Sequence, residues 1–214
     1  MHNRKKMKRI YCICLILIFV LSTVSGAYAS IPTEIAEPYG NGPKPTKYVI
    51  RSRMEAVVSG GRAAGYDMAA DFLEHSLVDN PSDLTCENGS IYSNQIKNSA
   101  EYRSILDGVK NRLDNTSSTV YHTNSSTTLN STTDLHLALN RVSYSAEATK
   151  LKTGKWKIKI VFHDTYDFAY QDWNDYSGFT GSVATILNNY GVYAMEQGAV
   201  VGYDIDITVI DTYY

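Results

Sequence analysis

Residues 155–167 read KWKIKIVFHDTYD, and the fold turns on how this stretch is read. Trp156, Ile158, Ile160 and Phe162 share one parity, and Lys155, Lys157 and Lys159 take the other. That period of two is the pattern of a half-buried strand. Lys152-Thr153-Gly154 supplies turn chemistry before it, and residues 141–150 alternate through Val142, Tyr144, Ala146 and Ala148. Two strands joined in a hairpin follow. Leu135, Leu137 and Leu139 extend the strand reading back to residue 134, and the change of parity near Asn140 marks a bulge or a turn. Residues 201–211, VGYDIDITVID, predict a final strand with Tyr203, Ile205, Ile207 and Val209 inward and Asp204, Asp206 and Thr208 outward. Between these strands, Val183, Ile186, Leu187 and Tyr190 recur at helical spacing, which predicts a helix over 181–190 that ends at Asn188-Asn189-Tyr190-Gly191.

Upstream the period changes. Tyr66, Ala69, Ala70, Leu73 and Leu77 predict a helix over 62–78, closed by the DNPSD of 79–83. Tyr102, Ile105, Leu106, Val109 and Leu113 predict a second, from about Asn94 to Leu113. Residues 30–49 hold four of the five prolines and two glycines, an extended leader. Residues 115–133 are rich in Ser, Thr and Asn and nearly uncharged, which suits a linker or loop, or an exposed strand in a sheet with one wet face. The fold class expected is α+β, an N-terminal helical segment followed by a mainly antiparallel β-sheet with one packed helix. Along the chain this gives a signal peptide (1–29), a Pro/Gly-containing leader (30–61), a helical segment (62–114), the Ser/Thr/Asn-rich linker or loop (115–133) and an α+β C-terminal domain (134–214). No repeat of solenoid length is visible.

The first nine residues carry five basic side chains and no acid, Ile10–Val24 is apolar, and SGAYAS follows with small residues at A-x-A spacing. This is the tripartite pattern of a secretory signal, with cleavage expected after Ala29. The apolar run is shorter than the roughly 18 residues of a membrane-spanning helix, so the mature chain is expected to be secreted without an integral anchor. Losing five of 20 basic residues and none of 22 acidic ones leaves a net charge of −7. Such a chain is badly matched to phosphate backbones, so no nucleic-acid partner is expected. Cys86 is then the lone cysteine, and the core must hold without an intramolecular disulfide. Asn88, Asn115, Asn124 and Asn130 each head an N-x-S/T sequon, as composition alone predicts; the signal reads as bacterial, and the sequons carry little weight.

Chemistry concentrates where the lysine-flanked strand ends. Asp164 and Tyr166 continue the parity of the apolar face, Asp167 follows at once, and Asp172 and Asp175 lie in the next loop. A carboxylate on the inward side of a strand end is costly unless paired, metal-bound or at the mouth of a cleft. Converging carboxylates are hard oxygen ligands for Mg²⁺ or Ca²⁺, and a cation so held suits phosphoryl chemistry. The plain alternative is a polar turn, since Asp bonds its own backbone readily. His163 has the opposite parity and is expected to face solvent. His75, His122 and His136 are scattered, and the motifs GxSxG, HExxH and the P-loop are absent.

Trp156 on its strand, the DTYD of 164–167, Thr185 within SVATILNNYG and the YDIDI of 203–207 together resemble the C-terminal toxin domain of colicin M-type bacteriocins. The resemblance covers about residues 134–214. It implies a secreted antibacterial toxin that hydrolyses a lipid-linked peptidoglycan precursor with a divalent cation, Mg²⁺ or Ca²⁺. Asp164, Tyr166 and Asp167 would be the catalytic residues, and Asp164 and Asp167 the metal ligands. The implied partners are the lipid precursor or another cell-surface component, and an immunity protein. The family's His/Arg pair after the motif is missing: FAYQDWNDY stands there, leaving Lys155 or Arg141 to supply the cation that faces the phosphates. The other function class is a non-catalytic secreted module that binds a surface or a partner, for which 17 tyrosines provide contact area at small entropic cost.

Overall fold

The structure is a computed structural model and describes residues 45–169 and 178–214, with the side chains of all of these except 178–186. The signal peptide, residues 30–44, Asp172 and Asp175 lie outside the described residues, and the side chains of Val183, Thr185 and Ile186 lie outside those described. Helices and a mixed five-stranded sheet make an α+β fold. The chain divides into two compact units. One comprises the residues up to Gly65, Leu73–Asp79 and Phe168–Val201; the other comprises Tyr66–Phe72, Asn80–Asp167 and Gly202–Tyr214.

The first unit contains α1 (Lys47–Ala64), the end of α2 (Asp67–His75) and α6 (Gly178–Glu196). Ile50, Met54 and Val58 on α1 recur at the helical repeat and are buried. Helix α1 stops because Gly65 takes the left-handed conformation (φ +80°) and its N–H closes onto Arg62 and Gly61 carbonyls. The helix predicted over 62–78 is therefore the last turn of α1, this glycine break and α2, and regular structure begins earlier than the leader reading placed it. Arg51 donates from Nε to the Ala199 carbonyl (3.0 Å) and pairs through Nη2 with Asp79 (2.7 Å). Helix α6 runs past Gly191, where termination was expected. Gly191 packs against the Phe168 ring, so a Cβ there would collide with it. The glycine serves close packing inside the helix rather than its end.

The second unit is built on the sheet. Its strands are β1 (Leu84–Cys86), β2 (Val120–Thr128), β3 (Arg141–Lys150), β4 (Trp156–Tyr166) and β5 (Tyr203–Tyr213), in the order β1-β5-β4-β3-β2. β1 pairs parallel to β5, and every other pair is antiparallel. Trp156, Ile158, Ile160 and Phe162 are buried on one face of β4, with Tyr203, Ile205, Ile207 and Val209 beside them on β5. Each such side chain taken from water contributes about 1.5–3 kcal/mol, which makes these two strands the sheet's anchor. Thr208, expected outward, is buried; the segment after β1 lies along β5 there, with the Ile210 N–H donating to Asn88 Oδ1 (2.7 Å).

Helices α3 (Ile91–Lys97) and α4 (Ala100–Leu113) replace the one helix expected from Asn94 to Leu113. Ser99 caps α4 by accepting from the Tyr102 N–H (3.0 Å), which starts a new helix where the apolar spacing alone runs on. Tyr102 is buried against Phe162, with ring centroids 6.4 Å apart, and its hydroxyl donates to Asp211. The larger correction concerns residues 133–138. Leu135, Leu137 and Leu139 read as a strand, yet Thr133–Ala138 is a helix, α5, and Leu137 is exposed. Thr132 caps it by accepting from Leu135 N–H (3.2 Å). Buried Asp134 accepts from the Met68 and Ala69 N–H groups and from Gln95, placing its charge at the N-terminus of α2. Capping and a tertiary carboxylate thus overrode three leucines of period two. Asn140 follows at φ +42°, the turn that the parity change had marked. The stretch 115–133 holds β2, which is rich in Ser and Thr and pairs antiparallel with β3. No helix among the described residues is long and apolar enough to cross a membrane.

Candidate functional site

Where β4 ends and β5 begins, a cleft of about 760 Å³ is lined by Asp83, Leu84, Thr85, Arg141, Ser143, His163, Asp164, Thr165, Asp167, Asp204 and Asp206. Both parities contribute, because the lining lies at the strand ends. The sequence forces the arrangement. Antiparallel register sets His163 opposite Asp206, Thr165 opposite Asp204, and Asp164 opposite buried Ile205. Parallel pairing of β1 then brings Thr85 beside Asp206.

Five carboxylates share this cleft with one guanidinium and one imidazole. Asp83, Asp204 and Asp206 are each tied to a neighbour in the site. Asp83 accepts from the Asp204 N–H (3.1 Å), Asp204 accepts from Thr165 Oγ1 (2.7 Å), and Asp206 Oδ1 lies 2.6 Å from His163 Nδ1. Asp164 differs from them. It keeps the parity of Phe162 and Tyr166, and burial raises its carboxyl pKa to about 7; the Thr165 backbone opposes the shift and the Asp167 charge adds to it. Burial and a like charge both disfavour the ionised form, and a bound cation would relieve both.

Of the three sequence-predicted site residues, Asp164 and Asp167 line the cleft. Tyr166 does not: it is buried, stacked on Tyr203 (ring centroids 5.3 Å) and edge-on to Phe72 (6.4 Å). Its burial holds the phenol well above its ordinary pKa. Tyr166 braces the strand end from the core side, and Tyr203 Oη donates to the Phe72 carbonyl (2.9 Å) to fix the same corner. Of the two basic residues considered for the missing cation, Arg141 is in the cleft. Lys155 stands at the opposite end of β4, its Nζ 3.9 Å from the centre of the Tyr214 ring.

Asp83, Asp204 and Asp206 were not singled out as site residues from the sequence. The signal was present: Asp204 and Asp206 share the polar parity of β5, and pairing β5 against β4 sets them across from Thr165 and His163. His163 does face the solvent side, half exposed, but it is engaged there by Asp206 and by Ser145, whose Oγ is 3.3 Å from Nε2. His122 is exposed, 3.8 Å from Glu147, and takes no part in the cleft.

Among the described residues no group of three or more His, Cys, Asp or Glu side chains is placed to hold a metal ion. Asp164 and Asp167 offer two carboxylates. That donor set fits a Mg²⁺ that keeps several waters or completes its shell with substrate phosphate oxygens, and fits a fully caged ion poorly.

No protein-family model and no curated protein matches the chain. Among solved structures, it is similar to PaeM, a colicin M-like bacteriocin produced by Pseudomonas aeruginosa, at 12% identity with a TM-score of 0.32. The match covers 88% of this chain and 60% of that one, so the chain spans under two thirds of its length. At so low an identity and score, the match is a similarity and does not establish a family.

Proposed function

We propose that this protein is a secreted antibacterial toxin, bacteriocin-like, that hydrolyses a lipid-linked cell-wall precursor with the help of a divalent cation. The observation that carries this reading is the convergence of Asp164, Asp167 and Arg141 on one cleft. Asp164 and Asp167 would hold Mg²⁺ or Ca²⁺, which when bound neutralises charge on the phosphate oxygens. Arg141 supplies the planar, permanently charged donor that suits a phosphate group. It takes the part left open by FAYQDWNDY. Tyr166 and Tyr203 keep the end of β4 in place from below. With five carboxylates in the lining, an anionic substrate would be repelled without the cation, so activity should depend strictly on it. Incubating the mature protein at micromolar concentration with lipid II and Mg²⁺ tests the reading. A phosphate or pyrophosphate product, lost with EDTA, is expected; no such product would overturn the catalytic claim.

A second reading is favoured by β2. Among the described residues it is one of the two outer strands of the sheet, and its VYHTNSSTT carries no Lys, Pro or acid to block pairing. A non-catalytic surface- or partner-binding protein would use such an edge. Binding to cell-envelope fractions that survives Asp164→Ala supports this reading, and absence of any such binding removes it.

A further inference from the structure

On the solvent side of the sheet, three consecutive strands place a hydroxyl, an imidazole and a carboxylate in contact. Ser145 stands on β3, His163 on β4 and Asp206 on β5. Ser145 Oγ lies 3.3 Å from His163 Nε2, and His163 Nδ1 lies 2.6 Å from Asp206 Oδ1. Nδ1 faces the Asp206 carboxylate and Nε2 faces the Ser145 hydroxyl, so the tautomer that donates from Nδ1 to Asp206 leaves Nε2 to accept from Ser145. Strand register and not a loop sets the three positions: His163 lies opposite Asp206, and Ser145, paired with Val161, is diagonal to His163. A serine-histidine-carboxylate relay is recognised by this connectivity and not by chain order or fold.

We propose that Ser145, His163 and Asp206 form a nucleophilic centre for acyl transfer from carboxylic esters, using other residues than the Asp164–Asp167 pair although His163 and Asp206 line the same cleft. In the first step the Ser145 Oγ–H proton passes to His163 Nε2 as Oγ bonds to the ester carbon, and the carbonyl π pair moves onto oxygen. As that pair returns, the bond to the alcohol oxygen breaks and the alcohol leaves with the proton from Nε2. Water then attacks the acyl-serine, again losing its proton to Nε2; the carboxylic acid leaves, and Ser145 regains a hydrogen from the imidazolium. Asp206 keeps the ring oriented throughout.

The surroundings choose the substrate. His163 and Asp206 side chains are 43% and 49% exposed, so an ester can reach the relay from solvent. The neighbouring carboxylates of the cleft repel anionic esters, which leaves neutral or cationic ones. Lys159 has the same parity as His163 and pairs with Glu147, two residues along the ladder from the Ser145–Val161 pair. The register makes Lys159 a diagonal cross-strand neighbour of Ser145, a separation that a long side chain can span. Without a built pair of backbone donors for the oxyanion, deacylation is expected to be slow, so covalent capture is a better readout than turnover.

The test is fluorophosphonate labelling of the full mature protein, with the adduct located by peptide mass spectrometry. We expect an adduct on Ser145, its loss in Ser145→Ala, and labelling at least tenfold slower in Asp206→Asn, with thermal melts confirming that both variants are folded. A p-nitrophenyl acetate burst approaching one equivalent, absent in Ser145→Ala, would support the same centre. No adduct on Ser145 where a serine-hydrolase standard labels fully, or equal labelling of Asp206→Asn, would overturn the proposal. Mg²⁺-dependent lipid II hydrolysis is expected to persist in Ser145→Ala, which keeps the two sites distinguishable.

Discussion

The two ends of the β4–β5 ladder share one pattern of alternation and differ in how their charges are settled. At the Trp156–Tyr213 end, cations lie over rings: Lys150 over Trp156, Lys110 over Tyr213 and Lys155 over Tyr214. Tyr213 donates to Asp114, and Lys97 pairs with Asp211 at 3.3 Å. At the Tyr166–Tyr203 end, five carboxylates gather around Arg141 and His163, and one of them, Asp164, is partly withdrawn from water. The first end is arranged as stability requires. The second concentrates like charge where a fold gains nothing from it, which is how functional sites depart from the rules the rest of a molecule obeys.

Breaking the shared framework should have the largest effect. Phe162 is buried midway between the two ends, in contact with Tyr102 and Tyr144. Phe162→Ala should cost about 3–5 kcal/mol, measured by urea denaturation, and should disturb both ends together. Next comes pH. The folded chain holds the Asp164 proton up to about pH 7, whereas the ordinary value is 3.8. The native state therefore binds more protons between these values, and metal-free stability falls as pH rises from about 4 to 7. By linkage the loss from this group is at most about 4 kcal/mol. Asp164→Asn should flatten that part of the profile in denaturation curves taken across the range.

The two candidate cations separate the ends most cleanly. Arg141→Ala should lower Mg²⁺-dependent hydrolysis of lipid II at least tenfold, with little change in melting temperature. Lys155→Ala should leave hydrolysis unchanged and cost no more than about 1 kcal/mol, the size of an exposed cation–π contact. Equal activity losses in both variants would erase the distinction between the ends.

What the sequence made legible follows the same division. β4 and β5 could be read residue by residue, because their alternation is long and their inward positions are β-branched or aromatic. β1 is three residues long and leaves no periodic trace. Helix α5 was hidden by Leu135, Leu137 and Leu139, whose spacing mimics a strand while the capping Thr132 and the tertiary bonds of Asp134 decide the outcome. Within the site, Asp164 and Asp167 were legible because they are neighbours in sequence. Asp83, Asp204 and Asp206 join them only through the pairing of strands, which no single stretch of sequence contains, and the same pairing selects Arg141 over Lys155. Tyr166 was singled out from its place in DTYD, and its parity with Phe162 already pointed it at the core, where it is buried.

The central claim is that Asp164 belongs to a cation-dependent site and is not merely a turn residue. Thermal melts of the wild type and Asp164→Asn, each in EDTA and in millimolar Mg²⁺ or Ca²⁺, test it most directly. With cation at tenfold its Kd, the wild-type melting temperature should rise by about 3–5 °C. Asp164→Asn should be as stable as the wild type or more so in EDTA and should show no rise. A wild type whose melting temperature ignores both cations would contradict the account and return DTYD to being a turn.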